Sequence, residues 1–383
     1  MIKLTESDRI SGIELSLIRQ VINYAIPDSI NLALGELRYP LPELLRNKAL
    51  EILRTINPVY TPNAGLPALR EAIANYHFNL CHPDQICVTN GAEEAIYTIF
   101  SALVNKGDRV AIPDPDYTAY PAIANMMQAE IIRLPFDPDL LNPDWEKWEQ
   151  ELAKGVKVLI LSSPQNPTGY CFISDESSKP AERLIRICEK YGVILIVDEI
   201  YRELYCIGEQ SLRAGKPLTM LMSYDDLFIV GGLSKSHAMS GWRLGWIISP
   251  AGFSASIIKT RQYISTCASH PAQELAVFAL SPEGMKAVQE IRNMLYMSRL
   301  QALDILNSAF SREYIHLPAA SPYLMLNVQQ DSIKVAMELA SRGVITVPGT
   351  AFGKLCSHWL RINFGLEISL LQKGLKIITG FLT

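Results

Sequence analysis

Seven short apolar runs, several of them separated by helical patterns, limit the possible fold more than any other feature of this chain. The runs are QICVT (85–89), RVAIP (109–113), EIIRLP (130–135), KVLILSS (157–163), VILIVDE (193–199), LFIVGG (227–232) and LGWIISP (244–250). Runs of this length are typical of buried strands. Residues 92–105 carry a helical apolar stripe, and residues 181–192 lie between Pro180 and Gly192, common marks of a helix start and end. The alternation predicts an α/β domain with a mostly parallel sheet.

The pattern changes after about residue 282. A long helical stretch (283–309) is followed by a strand-like run (324–328), a helix (331–342), two further strand-like runs (344–347 and 359–364) and a last helix. This order predicts a smaller α+β domain. The first fifty residues lack a strand–helix repeat, and we expect them to pack beside it. We therefore predict an N-terminal segment (1–50), a large domain (51–282) and a small C-terminal domain (283–383).

Composition and charge make several classes of protein poor candidates. The chain has 383 residues, of which 49% are apolar and 19% charged, as in globular proteins. A net charge of −4 argues against a nucleic-acid partner. The seven cysteines are scattered without a CxxC pair, which indicates reduced thiols and no metal site. The apolar runs are too short to span a membrane, and the start MIKLTESDRI lacks a signal core. We expect a cytoplasmic protein.

Ligands of parallel α/β sheets bind at the carboxyl ends of the strands, so the residues there are the first candidates for a site. NGAEEAI (90–96) combines small residues with a helix start, which suits a phosphate but equally suits an ordinary tight turn. Tyr117 could stack on a flat ring or be a core tyrosine. Asn166 is held extended by Pro167 and could bind a ligand, although an ordinary Asn-Pro turn is the simpler interpretation.

Charged residues in the same positions indicate chemistry more strongly. Asp198 ends a buried strand, which is costly unless the carboxylate meets a cation, either a ligand or an arginine of the fold. Lys235 follows another buried strand among small residues, where its charged form is disfavoured and the amine becomes a nucleophile. Arg243 would strengthen that shift and could hold a phosphate. Arg361 alternates with apolar residues in HWLRINF (358–364), which suits capture of a carboxylate.

A phosphate site, a ring stacker, an acid, an activated lysine and a carboxylate clamp together suit pyridoxal 5′-phosphate (PLP) bound to an amino acid. The chain resembles the fold-type I PLP-dependent enzymes, specifically the class I/II aminotransferases of the aspartate aminotransferase type. The runs that carry the resemblance extend over nearly all of the chain, and they are GELRYPLP (35–42), YTPNAGLPALREAIA (60–74), VTNGAEEAI (88–96), NPTG (166–169), DEIY (198–201), SKSHAMSGWRLGW (234–246), VPGTAFG (347–353) and LRINFG (360–365).

The resemblance implies the PLP-dependent transferase fold, a large domain with a seven-stranded sheet plus a smaller domain, and a role for each matching residue. Lys235 would form the Schiff base, Asp198 would pair with the ring nitrogen, and Tyr201 with Asn166 would bind the phenolic oxygen. The remaining cofactor contacts would be made by Tyr117 on the ring and, at the phosphate, by the N–H groups of Ala92 and Glu93 and by Arg243.

Further residues are implied for the substrate and for a second subunit. Arg361 would bind the α-carboxylate, with Gly35 and Asn166 beside the substrate. Tyr60 would reach the phosphate of the neighbouring subunit, which implies a homodimer with shared active sites. Two departures from the family pattern stand out. Gly232 replaces a serine that binds phosphate in many relatives, and Arg38 with Tyr39 replaces the usual pair near the pocket mouth.

We therefore predict an aminotransferase that moves an amino group from an L-amino acid to a 2-oxo acid through Lys235 and pyridoxamine phosphate. A PLP-dependent lyase, decarboxylase or synthase shares these motifs and stays open as the alternative; a PLP-sensing regulator would need a DNA-binding segment for which the chain has no room. Residues 263–271 contain no lysine or arginine. We therefore expect a neutral, aromatic or sulfur-containing donor rather than aspartate, unless Arg38 supplies the second cation.

Overall fold

The main sheet contains all seven strands that the apolar runs predict. The computed structural model describes residues 4–140, 142–173, 177–207, 211–213, 224–317 and 320–383. In chain order its strands are β1 (Ile30–Asn31), β2 (Ile86–Thr89), β3 (Arg109–Asp114), β4 (Glu130–Pro135), β5 (Val158–Ser162), β6 (Ile194–Asp198), β7 (Tyr205–Ile207), β8 (Ser211–Arg213), β9 (Leu227–Gly232), β10 (Gly245–Ile248), β11 (Ile315–His316), β12 (Tyr323–Asn327), β13 (Val344–Ile345), β14 (Val347–Pro348) and β15 (Trp359–Asn363).

The strand order of the main sheet is β2–β10–β9–β6–β5–β3–β4. The pairs from β9 to β4 are parallel, whereas β10 runs antiparallel to both β9 and β2. The predicted α/β class with a mostly parallel seven-stranded sheet is therefore confirmed. Because helices cover both faces, the central strands are buried on both sides, which is why they read as continuous apolar runs.

The helices also follow the sequence pattern. They are α1 (Leu17–Ile22), α2 (Glu43–Thr55), α3 (Pro67–Tyr76), α4 (Ala92–Leu103), α5 (Ala119–Met126), α6 (Trp145–Leu152), α7 (Lys179–Tyr191), α8 (Ser254–Ser265), α9 (His270–Ala279), α10 (Met285–Ala309), α11 (Ser332–Ser341) and α12 (Ile368–Leu382). Helix α7 has Pro180 in its first turn and ends at Gly192, whose φ of 65° is the left-handed conformation that glycine adopts at helix ends.

The C-terminal part forms a second, antiparallel sheet of order β11–β12–β15–β14. The predicted single run 344–347 is wrong in one respect, because it forms two short strands. Strand β13 pairs with β1, whereas β14 pairs with β15, so the chain passes from one sheet to the other at Thr346. The β1–β13 pairing attaches the N-terminal segment to the C-terminal part, but α2 packs on α9. The domain boundaries stay a prediction.

A buried ionic cluster joins the long helix α10 to the turn that follows β6. Arg292 Nε donates a hydrogen bond to the backbone oxygen of Glu203 at 2.6 Å, and its guanidinium also contacts the Glu203 carboxylate. Arg202 lies 3.3 Å from the other carboxylate oxygen of Glu203. Burial alone would raise the pKa of Glu203, but the two arginines outweigh it and lower that pKa. The cluster fixes the turn directly after Tyr201.

Among the described residues, no helix has both the length and the apolar character of a membrane span.

Candidate active site

Strands β6 and β9 bring Asp198 and Lys235 to the same edge of the main sheet. Asp198 ends β6 and is buried; it accepts hydrogen bonds from the Tyr120 hydroxyl and from the Ile200 N–H, each at 3.0 Å. Burial raises the pKa of Asp198 to about 6, although both hydrogen bonds and the charge of Lys235 act in the opposite direction. Within the described residues no arginine forms an ion pair with this carboxylate, so the arginine alternative does not account for it.

Lys235 is half-buried, and its Nζ donates a hydrogen bond to the backbone oxygen of Gly35. The next residues of the loop have structural contacts. His237 is buried between the Ser236 hydroxyl, at 2.7 Å, and the backbone oxygen of Ala279, at 3.2 Å. Burial lowers the pKa of His237 to about 4, so the ring is neutral. The loop therefore presents the lysine amine and keeps the histidine in the core.

The first turn of α4 and Arg243 form a concave site that suits an anion. Gly91 precedes the helix at a φ of 92° without a side-chain cap, which leaves the first N–H groups, those of Ala92 and Glu93, without helical partners. A Cβ at Gly91 would lie 2.7 Å from Arg243 Nη2, and a Cβ at Gly245 would lie 2.7 Å from the Ala92 nitrogen. Because both positions are glycine, the exposed Arg243 guanidinium can lie close to the N-terminal end of α4, which carries a partial positive charge.

The structure explains why Gly232 takes the place of a serine. A Cβ at this position would lie 2.9 Å from the backbone oxygen of Leu244 and 3.0 Å from Ile200 Cδ1. Both contacts are closer than normal packing allows, so a side chain here would displace the neighbouring strand. The anion site therefore depends on backbone N–H groups and Arg243.

Asn166 and Tyr117 are joined through Asp116, a residue that the sequence reasoning missed. The Asn166 N–H donates to Ser162 Oγ at 3.1 Å, and Ser162 Oγ donates to Asp116 Oδ1 at 2.7 Å. The same carboxylate oxygen accepts the N–H of Tyr117 at 2.7 Å. The Tyr117 ring is half-buried and packs edge-on against Tyr120, with 5.4 Å between the ring centroids. Asp116 thus fixes both segments at this edge of the sheet.

Arg361 reaches the same region from β15 and is buried. Its Nη1 donates to Asn166 Oδ1 at 2.9 Å and its Nη2 donates to the backbone oxygen of Ala33 at 2.6 Å. Its Nε is buried without a hydrogen-bond partner in the described structure. The guanidinium lies between two aromatic rings, 4.0 Å from the Tyr323 centroid and 4.8 Å from that of Phe352.

Tyr201 and Tyr323 meet between Arg361 and Lys235. Their hydroxyl oxygens are 2.8 Å apart, and both side chains are buried. A Cβ at Gly35 would lie 2.5 Å from the Tyr323 hydroxyl and 3.9 Å from Lys235 Nζ, so only glycine leaves room here. The sequence analysis missed Tyr323 because it begins the apolar run YLMLN like any core residue. The signal that could have identified Tyr323 is its hydroxyl group at the start of a mostly apolar, buried strand.

Tyr60 is the one proposed residue that the structure does not bring to this site. Its side chain is 87% exposed, and the large apolar side chains of Val59, Tyr263 and Ile264 are exposed as well. No cluster of metal-ligating side chains occurs in the portion of the chain that the structure describes.

The sequence matches a known family. The model of the family described as aminotransferase class I and II matches residues 27–378. The chain belongs to this family.

Relatives and solved structures agree. A probable aspartate aminotransferase of Methanocaldococcus jannaschii is 30% identical over 97% of this chain and 98% of its own length. The aspartate aminotransferase of Thermotoga maritima is 30% identical over 93% and 92% of the two chains. A crystal structure of the Thermotoga maritima enzyme covers 98% of this chain and all of its own, with 27% identity and a TM-score of 0.86. The protein is a fold-type I, PLP-dependent aminotransferase, as the sequence predicts.

The residues present fit pyridoxal phosphate. The concave site at Gly91 and Arg243 suits its phosphate, and the unpaired carboxylate of Asp198 suits a cationic ring nitrogen. The free Nε of Arg361 leaves a donor for an amino-acid substrate.

Asp116 gives a prediction about stability and pH. Burial raises the pKa of Asp116 to about 7. The hydrogen bonds from Ser162 and Tyr117 lower this pKa, but by less than burial raises it. An unfolded carboxyl titrates near about 3.9, so between about pH 4 and about pH 7 the folded protein holds a proton that the unfolded chain has lost. The contribution of Asp116 to the unfolding free energy should therefore fall as pH rises, by up to ~1.4 kcal/mol per pH unit.

Asp116→Asn should remove this contribution, so the unfolding free energy should fall less, or rise more, with pH in the variant than in the wild type. The measurement is urea unfolding from pH 4.5 to 7.5 without added cofactor. Asp108→Asn is the control, because Asp108 is partly exposed and pairs with Lys157, which lowers its pKa. Equal slopes in wild type and Asp116→Asn would contradict the assignment.

Proposed function

We propose that Lys235 is the residue that bonds to the cofactor and that its Nζ removes the α-proton of the amino-acid substrate. The observation that carries this proposal is the position of Nζ, which lies at Gly35 between the unpaired acid Asp198 and the tyrosine pair. An amine at this place is positioned to act as nucleophile and base.

The cofactor supplies an electron-accepting ring and an aldehyde. Asp198 holds a proton at the ring nitrogen, since its carboxylate otherwise remains buried with only two neutral donors. Tyr201 and Asn166 hydrogen-bond to the phenolic oxygen, and Tyr117 covers one face of the ring. Ala92 and Glu93 bind the phosphate through their N–H groups, together with Arg243.

Arg361 binds the substrate α-carboxylate beside Gly35 and Asn166. The guanidinium is held by two hydrogen bonds and two rings before any substrate arrives, so little orientation remains to be lost on binding. Arg361 comes from β15 of the second sheet, whereas the N–H groups proposed for the phosphate belong to the first turn of α4.

Lys235→Ala should abolish the absorbance of lysine-bound cofactor and lower turnover by about a thousandfold or more, because both the bond and the base are lost. Borohydride treatment followed by peptide mass spectrometry should find cofactor on Lys235 in the wild type and nowhere on the chain in the variant. Lys106→Ala, at an exposed lysine between α4 and β3, is the control and should behave as wild type. Cofactor fixed elsewhere in Lys235→Ala would show that the assignment is wrong.

We propose that the amino donor has a neutral, aromatic or sulfur-containing side chain. Aspartate is the alternative donor, because similar proteins are named aspartate aminotransferases. A second carboxylate in a dry site needs a second cation. Arg261, the nearest arginine before segment 263–271, is fully buried and pairs with Glu94 at 3.2 Å. Arg38 is exposed and lines a cavity of about 960 Å³ together with Glu36 and Glu367. Two acidic neighbours make that cavity a poor place for a second substrate carboxylate.

The kcat/KM values for aspartate, glutamate, methionine, glutamine and phenylalanine decide between these donors. Aspartate should fall about tenfold or more below the best neutral donor, because we assign no second cation among the described residues to its side-chain carboxylate. Arg38→Ala should leave the order unchanged. Aspartate as the best wild-type donor, with a selective loss in Arg38→Ala, would instead make Arg38 the specificity residue.

The protein functions as a homodimer with shared sites. Val59, Tyr60, Tyr263 and Ile264 are exposed, and we call these four side chains the 59–264 patch. The chain around them is linked, because the Val59 N–H donates to His270 Nδ1 at 3.3 Å and Arg261 Nη1 donates to the Asn63 backbone oxygen at 3.5 Å. A second copy on this patch would bury Tyr60, and Tyr60 would then reach the partner's phosphate group.

Co-expression of Tyr60→Ala with Lys235→Ala subunits tests the shared site. Tyr60→Ala alone should weaken cofactor affinity about tenfold or more, as expected for one hydrogen bond to a charged group. A mixed dimer should regain one complete site, with Lys235 from one subunit and Tyr60 from the other. Fully active monomers in sedimentation, or no regained activity in verified mixed dimers, would contradict the proposal.

The proposed domains are 1–50, 51–282 and 283–383, and the proposed compartment is the cytoplasm. Two separate hydrophobic clusters cover the faces of the main sheet, and a third lies between the second sheet and its helices, which supports the division. Cys81, Cys87, Cys188, Cys267 and Cys356 are free thiols, which supports a reducing compartment.

A further inference from the structure

Tyr323 is fully buried at the first position of β12, yet its polar tip lies among the proposed functional groups. The adjoining backbone is held in an uncommon conformation. Ser321 has a φ of 83°, its N–H donates to the backbone oxygen of Leu204 at 3.1 Å, and its hydroxyl accepts the Tyr323 N–H at 3.4 Å. A non-glycine residue in this region is uncommon and costs energy, so the surrounding contacts determine it. This turn aims Tyr323 toward Tyr201.

The Tyr323 side chain makes two different contacts with two different groups. The hydroxyl lies 2.8 Å from the Tyr201 hydroxyl, and the ring face lies 4.0 Å from Arg361 Cζ. Gly35 gives the hydroxyl its room, since a Cβ there would lie 2.5 Å from it. One residue therefore touches the proposed ring-oxygen ligand and the proposed carboxylate clamp, and it lies beside the proposed substrate glycine.

We propose that Tyr323 is a positioning residue with two separable actions: its hydroxyl donates to Tyr201, and its ring holds the Arg361 guanidinium. The inference rests on the proposed function, because it assigns Tyr323 to groups already placed in that site. The direction of the hydrogen bond follows from Arg361. A cation on the ring face draws electron density from Tyr323, which makes its hydroxyl the better donor of the pair.

A donated hydrogen bond from Tyr323 leaves the hydrogen of Tyr201 free to point at the cofactor's phenolic oxygen. Without it, Tyr201 loses a buried partner and becomes a weaker donor. The charged or titratable groups around this pair come from several elements: Arg361 of β15, Asp198 of β6, Lys235 after β9 and Tyr117 after β3. None of these changes when only the Tyr323 hydroxyl is removed.

The two actions are separated by Tyr323→Phe and Tyr323→Leu in the loaded enzyme. Tyr323→Phe keeps the ring, so KM for the amino donor should stay within about twofold while kcat falls about threefold to tenfold, the effect of one hydrogen bond. Tyr323→Leu loses the ring as well and should in addition raise KM about fivefold or more.

The readout that does not depend on turnover is the pH titration of the bound cofactor's visible absorbance without substrate. Both variants should raise its midpoint by about half a pH unit or more, because a weaker Tyr201 donor stabilises the deprotonated form less. In a Tyr201→Phe background, Tyr323→Phe should cause no further shift. Tyr224→Phe is the matched control, since Tyr224 is buried in another cluster and donates to the Val193 backbone oxygen. It should leave the midpoint and KM unchanged.

The outcomes separate this inference from the proposed function. An unchanged midpoint in Tyr323→Phe and Tyr323→Leu, with Lys235→Ala behaving as expected, overturns the role of Tyr323 alone. A midpoint shift that persists in the Tyr201→Phe background, or that Tyr224→Phe reproduces, also overturns it. Cofactor that remains fixed to the chain in Lys235→Ala overturns both. If Tyr323→Phe does not fold, Tyr323→Leu supplies the same midpoint test, since it too lacks the hydroxyl.

Discussion

The buried guanidinium of Arg361 is the interaction on which the arrangement of the site depends. A charge taken out of water costs several kcal/mol unless hydrogen bonds replace the lost hydration. Arg361 finds its partners in two distant parts of the chain: Ala33 of the N-terminal segment and Asn166 of the main sheet. The rings of Tyr323 and Phe352 enclose its faces. The second sheet, the N-terminal segment and the main sheet must therefore meet at this point, and their meeting closes the site.

Asp198 is the electrostatic counterpart of Arg361 on the main sheet. Its carboxylate is buried with the Tyr120 hydroxyl and one backbone N–H, and burial raises its pKa to about 6. Arg361 likewise retains one buried N–H without a partner. Two charges of opposite sign with incomplete protein partners are costly by themselves, but each becomes favourable when a group of the opposite charge binds. The same features that reduce the stability of the free protein thus favour a bound cofactor and substrate.

The sequence predicts the main sheet and most of the site because both follow local rules. Apolar runs mark the strands, and parallel strands necessarily place Asp198 and Lys235 at one edge of the sheet. Tyr323 and Asp116 could not be found in this way. Their importance lies in contacts with Tyr201 and Ser162, which are distant in the chain, whereas their local patterns are those of a core strand and a turn. The division of 344–347 between two sheets was missed for the same reason, since pairing partners decide it and local pattern does not.

The two ends of the site are built from different stretches of the chain. The residues proposed to hold the cofactor within one subunit lie between Ala92 and Arg243, and they are fixed by close backbone contacts such as that between Gly245 and the start of α4. The groups proposed to hold the substrate, Gly35 and Arg361, come from the N-terminal segment and the second sheet. Tyr323 and Arg361 belong to the second sheet but contact Tyr201 and Asn166, so both side chains link the two ends. Substitutions around residues 33–40 and in β12 to β15 can therefore alter the fit of the substrate, and they reach the proposed cofactor residues through these two side chains.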